Sequence, residues 1–278
     1  MSVDRPTQGF EEVVELARTA RHATLLASRI SAGRFRAHTS AVLVRLWFAS
    51  RRFAPHETWI RITLPSGASR RFHLSDYTQA KALGEVLLEE EYLGLPDAAS
   101  VATILDLGAN AGQASVYLRD RFPEARIVAV EADPSVARLT VRNLAGDART
   151  TVVPAAVCDH DGPVSLTLEP GRSWGSNVVE AWTSPQTRRV QVRGVTLATL
   201  LAQQGLDAVD ILKIDVEGAE LLALTSDDAL SRVRFVIGEL HPELLGMSAA
   251  EAVEQMRAHG SFDHATMRGD RIFVLSRD

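Results

Sequence analysis

The feature that most constrains the fold is a regular alternation, from Ala102 onward, of short apolar segments with longer amphipathic ones. The short segments are typical of strands and the longer ones of helices. Strands are predicted at 103–107, 126–131, 151–157, 210–216, 235–240, 262–267 and 271–275, and helices at 112–121, 134–145, 196–204, 218–225 and 248–259. Strands that alternate with helices of this length predict an α/β fold, with a mostly parallel sheet covered on both faces.

Two regions depart from this alternation. The last two predicted strands are separated only by residues 268–270, a gap too short for a crossover helix, so we predict that they pair antiparallel. Strand-like runs at 164–168 and 189–195 flank a loop that contains two tryptophans. We interpret residues 161–195 as an inserted hairpin and loop over the edge of the sheet.

The N-terminal part of the chain differs from the rest in charge. Residues 1–75 contain 12 arginines and 5 acidic residues, a net charge of +7, whereas residues 76–278 carry a net charge of −12. Helices are predicted at 9–31, 40–53 and 78–91, and a hairpin from strands at 58–64 and 70–74. We therefore predict an N-terminal helical arm and β-hairpin at 1–75 and an α/β domain at 76–278.

Composition excludes several classes of protein. The single cysteine, Cys158, rules out an intrachain disulfide and a multi-cysteine metal site. No segment approaches the roughly 20 apolar residues of a transmembrane helix. No basic segment followed by an apolar one is visible near the N-terminus, so the cytoplasm is the expected compartment. The acidic α/β domain argues against nucleic acid as a partner.

The first strand of the α/β domain ends in a glycine turn, Asp106-Leu107-Gly108-Ala109-Asn110-Ala111-Gly112. In an open parallel sheet, ligands bind at such a strand-to-helix turn. Glycines 108 and 112 allow the backbone to bend sharply and to approach a ligand closely. Asn110 stands where the dinucleotide fingerprint has its second glycine, which argues against a pyrophosphate at this position.

An acidic residue ends the second strand. Glu131 follows Gly112 by 19 residues, and a carboxylate at this point can accept both hydroxyls of a ribose. The glycine turn and Glu131 together indicate a cofactor that contains a nucleoside. The alternative is that the glycines merely close a turn and that Glu131 is solvated.

Four segments resemble the FkbM family of S-adenosylmethionine-dependent methyltransferases: Ile104–Gly112, Val130–Pro134, Asp210–Glu220 and Gly238–His241. The most family-specific part is Leu-Lys-Ile-Asp-Val-Glu-Gly-Ala-Glu, which begins at Leu212. The resemblance implies a class I methyltransferase fold, which is a Rossmann-like seven-stranded, mostly parallel sheet with an antiparallel last strand. It also implies O-methylation of a hydroxyl on a small molecule such as a secondary metabolite, a polyketide or a sugar.

The same resemblance implies contacts with S-adenosyl-L-methionine. Four residues of the glycine turn would surround its methionine portion, namely Asp106, Gly108, Asn110 and Gly112. Glu131 would hold the ribose, and Ala156 and Val157 would lie beside the adenine, with Asp159 near the adenine amino group. The loop Ser173–Ser176 would overhang the cofactor or the acceptor.

Polar residues at the ends of the fourth and fifth strands are the candidate catalytic groups. Lys213, Asp215 and Glu217 alternate along one face of the fourth strand, where unpaired charges would be costly to bury. Glu239 and His241 share a face of the fifth strand. We predict His241 as the general base, because its ordinary pKa lies near neutrality. Asp215 would orient the acceptor or contact the ammonium group of the cofactor, and Lys213 and Glu239 complete the predicted catalytic set.

Other interpretations of these polar residues remain open. In a purely structural role, Lys213 would form a salt bridge with an acidic residue, and Glu217 or Glu220 would cap the next helix. A divalent metal bound by carboxylates and His241 is a further alternative that is not favoured, so no metal ligand is assigned. At the level of the whole domain, the alternatives are an NAD-type Rossmann oxidoreductase and a non-catalytic cofactor-binding module.

Three roles remain open for the arginine-rich arm. Its apolar residues, such as Leu46 and Trp47, require burial, which favours packing over the acidic domain or across a homodimer. Its positive charge would also suit an acidic partner, such as a carrier protein that delivers the acceptor. Attachment to a membrane surface is the third role.

Overall fold

The helices and strands are seen in a computed structural model that describes residues 21, 23–31, 35–51, 57–88, 94–168 and 187–277. Its helices are α1 (23–30), α2 (Arg36–Arg51), α3 (Tyr77–Leu88), α4 (Gln113–Arg121), α5 (Pro134–Asn143), α6 (Leu197–Gln204), α7 (Glu220–Thr225), α8 (Pro242–Leu245) and α9 (Ala249–Gly260). Its strands are β1 (Thr58–Thr63), β2 (Ser69–Leu74), β3 (Thr103–Leu107), β4 (Arg126–Glu131), β5 (Thr150–Pro154), β6 (Ala156–Val157), β7 (Gly162–Leu168), β8 (Arg188–Val195), β9 (Val209–Ile214), β10 (Val233–Glu239), β11 (His264–Arg268) and β12 (Ile272–Ser276).

A seven-stranded sheet forms the centre of the α/β domain, with the strand order β11-β12-β10-β9-β3-β4-β5. The five strands from β10 to β5 are parallel, whereas β12 runs antiparallel to both of its neighbours. The α/β fold with an antiparallel last strand is therefore confirmed. The chain proceeds outward from β3 in one direction through β4 and β5 and in the other through β9 and β10. The crevice for a ligand is expected where these directions diverge, at the carboxyl ends of β3 and β9.

The predicted strand at 151–157 is wrong as a single element. Residues Thr150–Pro154 form β5 of the central sheet, whereas Ala156–Val157 form β6, which pairs with β8 in a separate three-stranded sheet. The break follows Pro154, which has no N–H to donate to a neighbouring strand. The other strands of this small sheet, β7 and β8, are the predicted inserted hairpin. The Ser173–Ser176 loop lies outside the described residues.

The fourth predicted strand is also shorter than expected. It ends at Ile214, because Glu217 and Gly218 adopt left-handed backbone conformations with φ angles of 54° and 96°. The next helix accordingly begins at Glu220. The expected alternation of Lys213, Asp215 and Glu217 along one strand face is therefore wrong, since a turn rather than a strand orients the last two.

The described part of the N-terminal arm shares one hydrophobic core with the α/β domain. Buried residues of α1, α2, the β1–β2 hairpin and α3 form a cluster that also contains Ala109 and Ala111 of the glycine turn. Ala129 of β4 and Leu139 of α5 belong to the same cluster. The arm thus packs beneath the glycine turn, as the burial requirement of its apolar residues indicated. The division at residue 75 itself stays a prediction.

Asn143 joins the hairpin to the glycine turn through three hydrogen bonds. Its Oδ1 accepts the His73 N–H at 2.6 Å, and its Nδ2 donates to the carbonyls of His73 at 2.9 Å and Ala111 at 2.8 Å. The residue is 1% exposed, so water is not available to replace these partners. Buried backbone groups that lose a hydrogen bond are costly.

We expect Asn143→Ala to lower the free energy of unfolding by about 1–3 kcal/mol, because the variant leaves backbone groups of His73 and Ala111 unpaired. Urea unfolding followed by circular dichroism measures the change. Val141→Ala, on the exposed side of the same helix, serves as the control. Equal destabilisation by the two substitutions would contradict this account.

Candidate active site

A cavity of about 700 Å³ opens at the carboxyl ends of the parallel strands, where the topology predicts a ligand. Its wall contains nine of the eleven predicted site residues: Gly108, Asn110, Glu131, Ala156, Val157, Lys213, Asp215, Glu239 and His241. Asp106 and Gly112 do not line it. The structure thus brings the predicted cofactor residues and the predicted catalytic residues to one space.

The glycine turn is held against the loop that follows β9. Gly108 has a φ of 75°, and a Cβ atom added to it would lie 1.7 Å from the carbonyl oxygen of Asp215. The N–H groups of Gly108 and Ala109 donate to the carbonyl of Val130 at 3.0 and 2.9 Å. Only glycine fits such an approach of two backbones. Gly112 (φ 90°) closes the turn as the residue before α4, away from the cavity.

A buried ion pair lies beneath the turn. Lys213 Nζ is 3.3 Å from Asp106 Oδ1, and it donates to the Gly108 carbonyl at 2.8 Å. Ser115 Oγ donates to Asp106 Oδ2 at 2.6 Å. Asp106 is completely buried and Lys213 is 6% exposed. These contacts match the structural alternative for Lys213, since both charges are used to support the turn.

Glu131 faces the turn from the end of β4. Its Oε2 accepts the Asn110 N–H and its Oε1 accepts the Asp133 N–H, both at 2.8 Å. Burial raises the pKa of Glu131 to about 7, although these two hydrogen bonds oppose the shift. The carboxylate lines the cavity at the position expected for a ribose.

Apolar residues form the wall beyond Glu131. Ala155, Ala156, Val157 and Leu166 come from β6, the residue before it and the inserted hairpin. Such a surface suits a flat aromatic base. Asp159, in contrast, lines a second cavity of about 570 Å³ behind Ala219 and does not line the first.

A cluster of carboxylates surrounds His241 in a second part of the cavity wall. His241 Nδ1 is 2.9 Å from Glu220 Oε1, and its Nε2 is 3.3 Å from Glu217 Oε2. Burial lowers the pKa of His241, but the hydrogen bond with Glu220 and the charges of Asp215 and Glu217 outweigh burial and raise the pKa to about 9. These surroundings favour the imidazolium form of the ring.

The sequence places Glu217 among the polar groups of the fourth strand, and it predicts a capping role for Glu217 or Glu220 as the structural alternative. Glu220 does accept the backbone N–H groups of Val216 and Gly218 at 3.3 and 3.0 Å, which is a local structural role. Its contact with His241, 21 residues later, depends on the pairing of β9 with β10. No spacing within the sequence indicates that contact.

The arrangement bears on the metal alternative as well. One ligand-type atom each of Asp215, Glu239 and His241 lies within 4.8 Å of the others. Both nitrogens of His241, however, already face carboxylates, so a metal would have to displace one of them. Metal binding at this cluster stays an alternative that is not favoured.

Further charged residues line the cavity. Arg271 pairs with Glu243 at 2.9 Å and lies 3.7 Å from Glu239. Lys81 and Glu85 of α3 also belong to the lining. The cavity wall thus combines both signs of charge.

The fold and this cavity define a class I methyltransferase: a parallel sheet with one reversed strand, a glycine turn at the point where the strand order diverges, and an acidic residue at the end of the next strand. Comparison with known families supplies the particular family. Residues 106–262 match the model of the methyltransferase FkbM domain, which is more than half of the chain. The protein belongs to the FkbM methyltransferase family.

Two curated proteins are similar to this chain. AMB antimetabolite synthetase AmbE of Pseudomonas aeruginosa is 27% identical over 247 residues, covering 73% of this chain and 12% of the synthetase. Methyltransferase sdnD of Sordaria araneosa is 31% identical over 155 residues, covering 45% of this chain and 60% of that protein. The chain therefore spans less than two thirds of the length of either relative.

Solved structures of distant methyltransferases and related proteins resemble the chain more weakly. A precorrin-6y C5,15-methyltransferase from Geobacter metallireducens is 14% identical, with a TM-score of 0.37 over 73% of this chain and 88% of that one. A fibrillarin pre-rRNA processing protein from Methanococcus jannaschii is 13% identical, with a TM-score of 0.44 over 79% of this chain and 82% of that one.

Among the described residues, no helix is long and apolar enough to cross a membrane.

Proposed function

We propose that this protein transfers a methyl group from S-adenosyl-L-methionine to a hydroxyl group of a small molecule, such as a secondary metabolite, a polyketide or a sugar. The observation that carries the proposal is the arrangement of the 700 Å³ cavity. One part of its wall holds the glycine turn and Glu131, and a second part holds Asp215, Glu217, Glu239 and His241. A nucleoside bound at the first part and a hydroxyl acceptor bound at the second would therefore share one space.

The residues of the first part of the wall fit the cofactor. The cavity volume lies in the range of about 300–1,000 Å³ that is usual for small-molecule sites. Gly108 allows the turn to approach the Asp215 backbone closely. Glu131 would present a carboxylate to the ribose, and Ala156 and Val157 would present an apolar surface to the adenine. Asn110 and the other backbone groups of the turn would face the methionine portion. Asp106 and Lys213 would act indirectly, by holding the turn.

The cofactor supplies, when bound, a methyl group attached to a positively charged sulfur. The carboxylates of the second part of the wall are suited to the remaining requirement, which is to align a hydroxyl and remove its proton. Alignment contributes up to about 7–11 kcal/mol and a positioned base about 100-fold to 10,000-fold in rate.

Ligand binding tests the proposal. We expect S-adenosylhomocysteine to raise the melting temperature and to bind in isothermal titration calorimetry, whereas NAD has no effect. Stabilisation by NAD but not by S-adenosylhomocysteine would favour the oxidoreductase alternative. Binding of S-adenosylhomocysteine without turnover of any hydroxyl acceptor, together with Asp215→Ala altering stability alone, would favour the non-catalytic module. Addition of EDTA is expected to leave binding unchanged.

The raised pKa of Glu131 predicts how cofactor binding depends on pH. Because the pKa of Glu131 is raised to about 7 from an ordinary value of 4.5, its stabilising contribution is present below about pH 4.5 and is lost as the pH rises through about 7. Ribose hydroxyls donate to the ionised carboxylate, so cofactor binding favours the deprotonated form. We expect the affinity for S-adenosylhomocysteine to increase from about pH 6 to about pH 8.

Glu131→Gln is expected to weaken that affinity by about tenfold to a hundredfold and to remove its pH dependence. Calorimetry at several pH values measures both effects. Glu124→Gln, which changes an exposed carboxylate, is the control. Retention of the pH dependence in Glu131→Gln would show that another group is responsible.

The setting of the reaction is also a proposal. We propose that the acceptor is presented by a larger assembly, such as a carrier protein. This chain is similar to a segment that makes up 12% of a synthetase, which supports the proposal. The alternative is that the arginine-rich N-terminal arm forms a homodimer and does not bind a carrier protein. Sedimentation of the full chain, with and without an acidic carrier protein, distinguishes the two.

A further inference from the structure

Each ring nitrogen of His241 lies within ion-pair distance of a carboxylate, and Nδ1 also forms a hydrogen bond with Glu220. Glu220 and Glu217 lie 2.9 and 3.3 Å from its two ring nitrogens. An imidazole between two carboxylates is stabilised as an imidazolium, in which both nitrogens are donors. In this arrangement His241 is a charged group that binds two acids, and the base must be sought beside it.

Glu220 fixes the position of the imidazolium. It is completely buried, and the same oxygen that faces His241 accepts the N–H groups of Val216 and Gly218. Among the described residues, His241 is the cationic side chain within ion-pair distance of Glu220. A buried carboxylate without a cation would be costly, so Glu220 favours the charged form of His241.

Glu217 reaches His241 from the cavity side through an unusual backbone. Its φ of 54° lies in the left-handed region, which costs a non-glycine residue about 1–2 kcal/mol. Backbone strain of this kind persists where the surrounding structure enforces it, and it concentrates at functional sites. Here the turn is enforced by the bonds of Glu220 and by Gly218, where an added Cβ would lie 2.7 Å from Leu244.

One oxygen of Glu217 remains uncommitted. Oε2 faces His241, whereas within the described part of the chain Oε1 has neither a hydrogen bond nor an ion pair. The side chain is 14% exposed and lines the cavity. Glu217 thus lines the cavity with one carboxylate oxygen within ion-pair distance of His241, an arrangement that suits a general base.

We propose that Glu217 accepts the proton of the acceptor hydroxyl, and that His241 and Glu220 are positioning residues that hold its carboxylate at the cavity. The inference rests on the proposed methyl transfer to a hydroxyl. As the O–H bond breaks, its proton bonds to Glu217. The electron pair of the acceptor oxygen forms the new C–O bond, and the pair of the broken C–S bond stays on sulfur.

The charges around Glu217 agree with this role. Burial and the neighbouring Asp215 raise the pKa of Glu217 to about 8, while His241 opposes the rise and Glu239 and Glu220 add to it. A base is most effective when its pKa is near the working pH.

Nitrogen-15 NMR of the full chain, labelled at histidine and bound to S-adenosylhomocysteine, tests the protonation state directly. His241→Gln identifies the signal among the eight histidines. We expect both His241 nitrogens to be protonated at about pH 7, and Glu217→Gln to lower the titration midpoint by about 1–3 pH units. A neutral His241 with an unprotonated Nε2 at that pH would overturn the proposal, because His241 would then be free to act as the base.

Turnover provides the second measurement, with catechol, glucose and glycerol as probe acceptors. We expect Glu217→Gln to lower kcat by about 100-fold to 10,000-fold and Glu217→Asp to restore part of it. His241→Gln should lower kcat by only about tenfold and keep a rate that rises with pH. Glu254→Gln, an exposed change, is the control. A larger loss in His241→Gln than in Glu217→Gln would contradict the assignment.

The outcomes separate this inference from the proposed function. If S-adenosylhomocysteine does not bind in calorimetry, the methyl-transfer proposal fails, whatever the NMR spectrum shows. If it binds and His241 is neutral, only the assignment of Glu217 fails. The spectrum of the unsubstituted protein shows whether His241 is protonated. It therefore tests the assignment of Glu217 even if no probe acceptor is turned over or a Glu217 variant does not fold.

Discussion

Lys213→Met is expected to lower the free energy of unfolding by about 3–5 kcal/mol, the largest stability effect that we predict. The substitution removes the ammonium group that lies 3.3 Å from Asp106 and leaves a completely buried carboxylate without its cation. It also removes the donor to the Gly108 carbonyl. Methionine is similar to lysine in length, so lost packing contributes little. Urea unfolding measures the change.

A double substitution separates the charge from the rest of the side chain. We expect Asp106→Asn combined with Lys213→Met to be more stable than Lys213→Met alone, because no unpaired charge remains buried. The amide oxygen introduced at position 106 would still accept the hydrogen bond of Ser115. If the two substitutions were simply additive, the ion pair would not be the source of the loss, and the role of Lys213 beneath the turn would have to be revised.

Gly108→Ala is expected to abolish cofactor binding, with an affinity for S-adenosylhomocysteine at least about a hundredfold weaker. The new Cβ would lie 1.7 Å from the Asp215 carbonyl oxygen and 2.7 Å from its carbonyl carbon. Both neighbours are backbone atoms, so a rotamer change cannot relieve the contact. The glycine turn and the loop after β9 would have to separate, which alters both parts of the cavity wall at once. Calorimetry measures the affinity, and circular dichroism confirms folding.

Gly146→Ala is the matched control for this substitution. Gly146 has a φ of 86°, close to that of Gly108, but a Cβ there would have no neighbour within 4 Å. The control therefore isolates the backbone strain of a left-handed alanine, about 1–2 kcal/mol, from the steric contact. Similar cofactor affinities in the two variants would show that the close approach to Asp215 is unimportant.

Much of the fold could be predicted from local patterns. The strands 103–107 and 126–131 have the predicted bounds, and the antiparallel final pair followed from a three-residue gap. Errors arose where a single residue interrupts a strand-like pattern. Pro154 divides one predicted strand between two sheets, and the left-handed Glu217 ends another early. A left-handed backbone conformation at a non-glycine residue cannot be recognised from the type of the residue.

The candidate site was predicted less evenly. Gly108, Asn110 and Glu131 were predicted from their positions at strand ends, and they line the cavity together, whereas Asp106 and Gly112 do not. The partners of charged groups did not follow, because Asp106 meets Lys213 and Glu220 meets His241 across paired strands. The roles of Lys213 and His241 depend on these partners. Sequence alone indicated which groups were present, whereas the register of β3, β9 and β10 decides what each group touches.

The shared core of the N-terminal arm restricts how this protein can be engineered. Helix α2 and the β1–β2 hairpin supply apolar side chains to the same cluster as Ala109 and Ala111, which belong to the glycine turn. A truncation at residue 75 would cut through the interior of the molecule and expose the underside of that turn to water. An expression fragment that is intended to retain ligand affinity should therefore begin ahead of residue 23.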